Sequence, residues 1–349
     1  MAKKSHEHHD RPHRHHYDAE MLSVEEARVR ILSYFQVLPA ESTDLIASLG
    51  QVLAEDIVAS FNIPPLSNSA MDGYAVLSDD TRGASVETPV ELVVTGVVAA
   101  GQLPLHPLTP GTAIRIMTGA PVPDNADAVV PFEDTDELER RAAGDSSESI
   151  AIRIQSEPYD NVRGIGEDIE SGETVLECGQ ILRSGDIGVI ASLGHSTAKA
   201  IRRPVVAIVS TGDELLQPGD EPEPGKIFNS NAFSIAAMVK RYGGVPKILG
   251  IAKDTIESLE AALEEALDAD LVVTSAGVSK GDYDVVKDVL SSKGEIALWS
   301  VRMRPAKPLA FGVLDRKDGT KVPHLGLPGN PVGHSLGIGV PQRRLEFVG

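Results

Sequence analysis

Cysteine occurs once in the 349 residues, at Cys178. That excludes an intrachain disulfide framework and any zinc or iron–sulfur site built on several thiolates. Aromatic residues are sparse, at 4% of the chain, and with abundant aliphatic residues and glycine they fit a soluble α/β protein. No run approaches the about 18 apolar residues of a membrane span, and the N-terminus lacks an apolar signal region. The expectation is therefore no membrane association and a cytoplasmic address. Basic residues are also short: 32 Lys and Arg stand against 51 Asp and Glu, a net charge of −19. A broad nucleic-acid face needs clustered positive charge to displace counterions, so no nucleic-acid partner is expected. A small anionic ligand stays compatible with this balance, given backbone amides, a few cations or a divalent metal at its site.

The length suggests about two domains, or three small ones. Residues 1–20 carry six of the ten histidines and read as a disordered polar tail without a core to set a coordination geometry. Order begins at Ser23-Val-Glu-Glu26, a capping-box pattern followed by Ala27, Ile31, Leu32 and Phe35 at helical spacing, with Pro39 as the stop. From Gln51 to Ile154 the text is short β-type runs, among them Val90–Val94 and Ala128–Val130, broken by Gly and Pro. The acidic stretch Glu133–Ser149 reads as a surface loop or hairpin excursion. Beyond Pro204 strand and helix alternate: Val205–Val209, Asn231–Tyr242, Val245–Ile251, Thr255–Asp268, Leu271–Thr274, Tyr283–Ser291 and Ile296–Ser300. Short connections between them predict a doubly wound, largely parallel sheet.

In such a sheet, ligands bind outside the carboxyl ends of the strands. Two loops occupy that position: Ser210-Thr-Gly-Asp-Glu-Leu215, and Ser275-Ala-Gly-Val-Ser-Lys-Gly-Asp-Tyr-Asp284 leading into a helix. Gly277 and Gly281 permit close backbone approach, Ser275 and Ser279 add hydroxyls, and the helix N-terminus favours an anion. Asp213, Glu214, Asp282 and Asp284 would then converge on that anion, an arrangement that a divalent cation makes tolerable. Asp282 as a helix cap and Asp213 as a turn residue are the plain structural alternatives. A third segment, Val301-Arg-Met-Arg-Pro-Ala-Lys-Pro308, concentrates Arg302, Arg304 and Lys307 in an acidic chain. It suits a small oxyanion, or else a solvated strand edge. The remaining segments are Gly/Pro turns with polar groups: Asn68-Ser-Ala-Met-Asp-Gly-Tyr-Ala-Val76, Met117-Thr-Gly-Ala-Pro-Val-Pro123, Gly166-Glu-Asp-Ile169 and Leu327-Pro-Gly-Asn-Pro331. Taken singly, each is a turn, and Asp72-Gly73 is a common hairpin dipeptide.

Taken together and in their order along the chain, these seven segments resemble the molybdopterin molybdenumtransferase family, to which the gephyrin E-domain is similar, and the resemblance extends from about Leu22 to Val332. The resemblance implies insertion of molybdenum from molybdate into adenylylated molybdopterin, with release of AMP and magnesium (Mg2+) assisting. It implies a homodimer with an N-terminal helical and linker domain (21–62 and 155–203), an inserted β-rich domain (63–154) and an α/β molybdopterin-binding domain (204–332). Asp72, Thr118, Asp168, Glu214 and Asp284 fall on the family's functional polar positions. Asp213, Glu214 and Asp284 are the implied metal ligands. The 275–282 loop, with Ser275, Gly277, Ser279, Gly281 and Asp282, resembles the pterin- and phosphate-binding element. Arg304, Lys307 and Pro308 fall on the molybdate pocket, and Pro328 and Pro331 on the family's turn. Ala276 replaces a glycine usual in the pterin loop, and Arg304 stands where lysine is frequent, keeping the charge but changing its geometry. After Val332 the family continues into a helix and a C-terminal β-domain. Residues 333–349 resemble neither, and the expectation is a chain lacking that domain. Two other readings are a molybdopterin adenylyltransferase, which would not need the long N-terminal half, and a non-catalytic pterin-binding scaffold.

Overall fold

The computed structural model describes residues 21–145, 147–275, 289, 292–302 and 308–327. The chain forms two compact units. One is built from the described parts of Met1–Ala54, Gly179–Ser184 and Thr197–Gly349, the other from Glu55–Cys178 and Gly185–Ser196.

The first unit opens with the helix Val24–Leu32. The capping box forms as its sequence predicts. Ser23 Oγ accepts the Glu26 amide at 3.1 Å, and Glu26 Oε2 accepts the Ser23 amide at 2.7 Å. The helix stops at Leu32, seven residues before Pro39, because Ser33 already caps it and turns its hydroxyl back onto the Arg30 carbonyl.

This helix packs on a six-stranded sheet of order Val245–Ala252, Val205–Thr211, Leu271–Ser275, Lys321–Leu327, Pro308–Asp315 and Gly294–Ser300. The first four strands are mutually parallel. Side chains alternate across the sheet. Val206, Ile208, Val273 and Leu325 join Ile31, Ile235 and Val239 on one face, whereas Ala207, Val209, Val272 and Val322 join Leu259 and Leu263 on the other. Helices Val24–Leu32 and Ser230–Arg241 therefore cover one face and Ile256–Ala266 the opposite one. Asn229 and Thr255 cap the last two by accepting the amides of Ala232 and Ser258.

The last two strands depart from the expected parallel pattern. Pro308–Asp315 runs antiparallel to both Lys321–Leu327 and Gly294–Ser300. A five-residue connection carrying Asp318-Gly319, with Gly319 at φ +82°, is too short for a parallel crossover and imposes a hairpin. The helix expected at Tyr283–Ser291 falls largely outside the described residues.

The second unit holds a five-stranded sheet of order Ala128–Pro131, Gly73–Val76, Thr112–Ile116, Val90–Val98 and Ser149–Ile152. All pairs are antiparallel except Val90–Val98 with Thr112–Ile116. Tyr74, Val76, Val130 and Ile152 fill one face, and Ala75, Val129, Ile114 and Ile116 the other. Inside the stretch expected to be a loop, Glu137–Ala143 is a helix, closed by Gly144 at φ +70°. Its apolar stripe is too thin to be visible as periodicity. Ion pairs anchor it instead: Glu137 to Arg115 at 2.8 Å, Arg140 to Glu91 at 2.8 Å, and Glu139 to Arg153. A further helix spans Ser184–Ser192. Among the described residues, no helix is long and apolar enough to cross a membrane.

Candidate functional site

Parallel strands bring their carboxyl ends to one edge, and the first unit gathers polar groups there. Gly212 follows the Val205–Thr211 strand at φ +143°, and a Cβ on it would meet Glu214 Oε2 at 2.4 Å. Glycine is thus what lets the Glu214 carboxylate fold back over its own loop. The Asp213 amide donates to Asp254 Oδ2 and the Asp254 amide to Asp213 Oδ1, both at 3.4 Å, tying this strand end to that of Val245–Ala252. Lys226 Nζ donates to the Asp213 carbonyl at 2.6 Å and holds the loop from the other side. Beside it, buried Ser210 donates through Oγ to Asn229 Oδ1 at 3.1 Å, and Asn231 Nδ2 donates to Ser275 Oγ at 3.2 Å. Asn229 is 1% exposed, and its Nδ2 has no hydrogen-bond partner among the described residues. The side chains of Ser210, Asn229, Asn231 and Ser275 and the N-terminus of a twelve-residue helix make a polar strand end suited to a polar, anionic ligand.

Asp213 and Glu214 are exposed carboxylates, the hard oxygen donors that a divalent cation such as magnesium takes. Among the described residues, however, no three Asp, Glu, His or Cys side chains gather closely enough to hold a metal. The described part of the site therefore does not form a cation site by itself, and Asp284, the third implied ligand, lies outside the described residues.

The second unit brings Asp72 and Thr118 together. Asp72 immediately precedes the Gly73–Val76 strand and Thr118 follows the Thr112–Ile116 strand. Because these strands are antiparallel, with Gly73 opposite Ile116, both residues emerge at the same end of the sheet. Asp72 Oδ1 accepts the Thr118 amide at 2.6 Å and the Thr118 hydroxyl at 2.8 Å. These two hydrogen bonds, amide first, hold the Asp72 carboxyl below its ordinary range. The hairpin alternative for Asp72-Gly73 is overturned, since Gly73 opens a central strand. A Cβ there would lie 2.0 Å from the Val130 carbonyl oxygen, so only glycine lets the neighbouring strand close in.

Asp168 lies in another loop of this unit. It is exposed, and its amide donates to the Ile63 carbonyl at 3.0 Å, with no hydrogen bond to Asp72 or Thr118. Ser275 is buried at the end of its strand, and Pro308 opens the strand that pairs with Ser300. Arg302 serves the fold, its Nε donating to the Met21 carbonyl at 3.1 Å and its amide to that of Leu22 at 2.9 Å. Gly277, Ser279, Gly281, Asp282, Asp284, Arg304, Lys307, Pro328 and Pro331 lie outside the described residues. Sequence reasoning passes over Asn229, Asn231 and Asp254. The signal for them is capping chemistry, since Asn229 and Asp254-Thr255 stand immediately before helices and Asn231 lies in the first turn.

With this geometry in view, similarity to known proteins covers nearly the whole chain. A family model described as the MoeA N-terminal region (domains I and II) matches residues 22–194, and one described as a probable molybdopterin binding domain matches 207–338. Molybdopterin molybdenumtransferase 2 of Mycobacterium tuberculosis is 40% identical over 319 residues, spanning 89% of this chain and 76% of that protein. The molybdopterin molybdenumtransferase of Staphylococcus epidermidis is 38% identical over 312 residues, spanning 89% of this chain and 71% of its own. Among solved structures, the molybdopterin biosynthesis moea protein of Pyrococcus horikosii matches with a TM-score of 0.76 at 33% identity. It covers 93% of this chain and 79% of that one.

Proposed function

The chain belongs to the molybdopterin molybdenumtransferase family, and we propose that it transfers molybdenum from molybdate to adenylylated molybdopterin, releasing AMP. It is a transferase of molybdenum cofactor biosynthesis, and its substrate is a molybdopterin-related compound. The observation that carries the reading is the 40% identity to a molybdenumtransferase along 89% of the chain, through both units. An adenylyltransferase needs no counterpart of the second unit, and a bare pterin-binding scaffold needs no hydrogen-bonded Asp72–Thr118 pair.

In this reading the strand-end surface of the first unit binds the nucleotide-bearing pterin. Asn229, Asn231, Ser210 and Ser275 offer neutral donors and acceptors that hold a phosphate without adding charge. Helix N-termini at Ser230 and Ile256 favour the negative charge that grows on the phosphate as AMP leaves. Glu214 and Asp213 are proposed to bind Mg2+ together with Asp284; a bound magnesium would neutralise phosphate charge. Asp72, fixed by its two hydrogen bonds from Thr118, is proposed as a polar contact to substrate, with Asp168 a further one. Arg304, Lys307 and Pro308 are proposed to form the molybdate pocket, where fixed cations suit a tetrahedral dianion. Pro328 and Pro331 shape the adjoining turn. A homodimer is part of the proposal, as is the domain division 21–62 with 155–203, 63–154 and 204–332.

The test is anaerobic incubation of the purified chain with adenylylated molybdopterin, molybdate and magnesium, with AMP followed by chromatography. Molybdate-dependent AMP release with formation of the cofactor is expected. ATP-dependent adenylylation of free molybdopterin, or binding without turnover, would replace the proposal by one of the other readings.

A further inference from the structure

Arg115 occupies an unusual place in the second unit. It sits on the Thr112–Ile116 strand directly opposite Tyr74, yet its side chain is only 13% exposed. A buried guanidinium is costly unless its donors are satisfied and its charge is paired. Here Nη1 donates to the Gly73 carbonyl at 3.0 Å and to the Ile116 carbonyl at 2.9 Å. Nε pairs with Glu137 at 2.8 Å, and the group stacks over Tyr74 at 5.3 Å and Phe132 at 5.7 Å. The two carbonyls belong to the residue after Asp72 and the residue two before Thr118. The main chain of Asp72 is held separately by the Phe132 amide, which donates to its carbonyl at 3.1 Å. The helix Glu137–Ala143 supplies the counter-ion, which explains why so polar a helix is retained against this sheet.

We propose that Arg115 is a positioning residue for the Asp72–Thr118 pair: one guanidinium, locked by Glu137 and two rings, bridges the backbones of the two strands at the end where both residues emerge. The inference rests on the assignment of Asp72 and Thr118 to the functional site. A salt bridge placed only for stability would not need to bond both flanking carbonyls. Arginine is required by geometry, because its planar fork reaches two carbonyls and a carboxylate at once. Lysine preserves the charge but offers one compact donor centre. Charge alone and positioning are therefore separable.

The experiment measures molybdate-dependent AMP release from adenylylated molybdopterin for wild type, Arg115→Lys, Asp72→Asn and the double variant, beside thermal unfolding of each. Arg115→Lys is expected to lower kcat about tenfold or more with KM nearly unchanged, since small misplacements of catalytic groups cost that much. The double variant should be no slower than Asp72→Asn alone, as for groups acting as one unit. Wild-type kcat in Arg115→Lys, or losses that simply multiply in the double variant, overturns the inference. Should Arg115→Lys fail to fold, Glu137→Gln serves, since it removes the charged partner that locks the guanidinium over both carbonyls. A lowered kcat with KM nearly unchanged there supports positioning, and a shifted melting temperature with unchanged kcat overturns it. An Asp72→Asn variant with wild-type kcat instead refutes the site assignment on which the inference stands.

Discussion

His324 lies in the middle of the six-stranded sheet, fully buried on the Lys321–Leu327 strand. Its Nε2 shares a hydrogen bond with Thr274 Oγ1 at 3.0 Å, and its Nδ1 has no partner among the described residues. Burial pushes the imidazole down to about 3 from its ordinary value. The folded state therefore holds a neutral histidine, while the unfolded chain binds a proton below about pH 6.5. With the folded value depressed, stability is complete above that pH and falls as the pH drops toward 3. The slope is about 1.4 kcal/mol per pH unit once the unfolded histidine is mostly protonated, so moving from pH 7 to pH 5.5 should cost about 1.2 kcal/mol. The depressed carboxylates of this unit, Glu26, Glu264, Asp270, Glu295 and Asp318, interfere little, because their contributions are lost only as the pH falls through their ordinary values of 4.5 or 3.8 and below. The chain's single tryptophan, Trp299, sits on the Gly294–Ser300 strand of the same sheet. Urea unfolding followed by its fluorescence therefore reports on this unit. His324→Gln keeps a hydrogen-bonding group for Thr274 and does not titrate, so its midpoint should hold between the two pH values while that of wild type falls. Equal losses in wild type and variant would refute the buried neutral histidine.

Glu214→Ala should lower the rate of AMP release far more than substrate affinity, because the charge it helps to manage develops in the transition state. A wild-type rate in folded variant protein would remove Glu214 from the site. Lys307→Ala should raise the molybdate concentration needed for half-maximal insertion, with a loss of about 1.5–3 kcal/mol of molybdate binding and little change in pterin affinity. Titration of the rate with molybdate checks this, and an unchanged dependence counts against the assignment. Gly73→Ala should destabilise the second unit by about 3 kcal/mol or more, as overpacking against fixed backbone does. Calorimetry reads the loss, and an unshifted transition would contradict the close approach of Gly73 to Val130.

The parts of this molecule legible in its sequence are those where local chemistry and tertiary structure ask for the same residues. Ser23 and Glu26 cap a helix through contacts three residues apart, and Val205–Val209 reads as a strand because both faces of the Val205–Thr211 strand are covered. Alternation of strand and helix along the chain is then enough to put the Gly212–Glu214 loop at a carboxyl end. The helix Glu137–Ala143 is illegible for the opposite reason. What holds it is Arg115, Glu91 and Arg153, residues distant along the chain, and its own text is charge without an apolar stripe.

The site divides in the same way. Asp72 and Thr118 are 46 residues apart, and no spacing rule connects them. Only an antiparallel pairing in which Gly73 faces Ile116 brings their ends together. Arg115 is harder still, because an arginine on a short strand reads as solvent-facing until the fold sets Tyr74, Phe132 and Glu137 around it. Asn229 hides behind its capping role: one side-chain oxygen serves both Ala232 and Ser210, while its amide nitrogen stays unpaired among the described residues. A cap accounts for the oxygen alone. A buried donor left over costs about 1–3 kcal/mol, and that cost is offset in any complex where an acceptor on the ligand meets it.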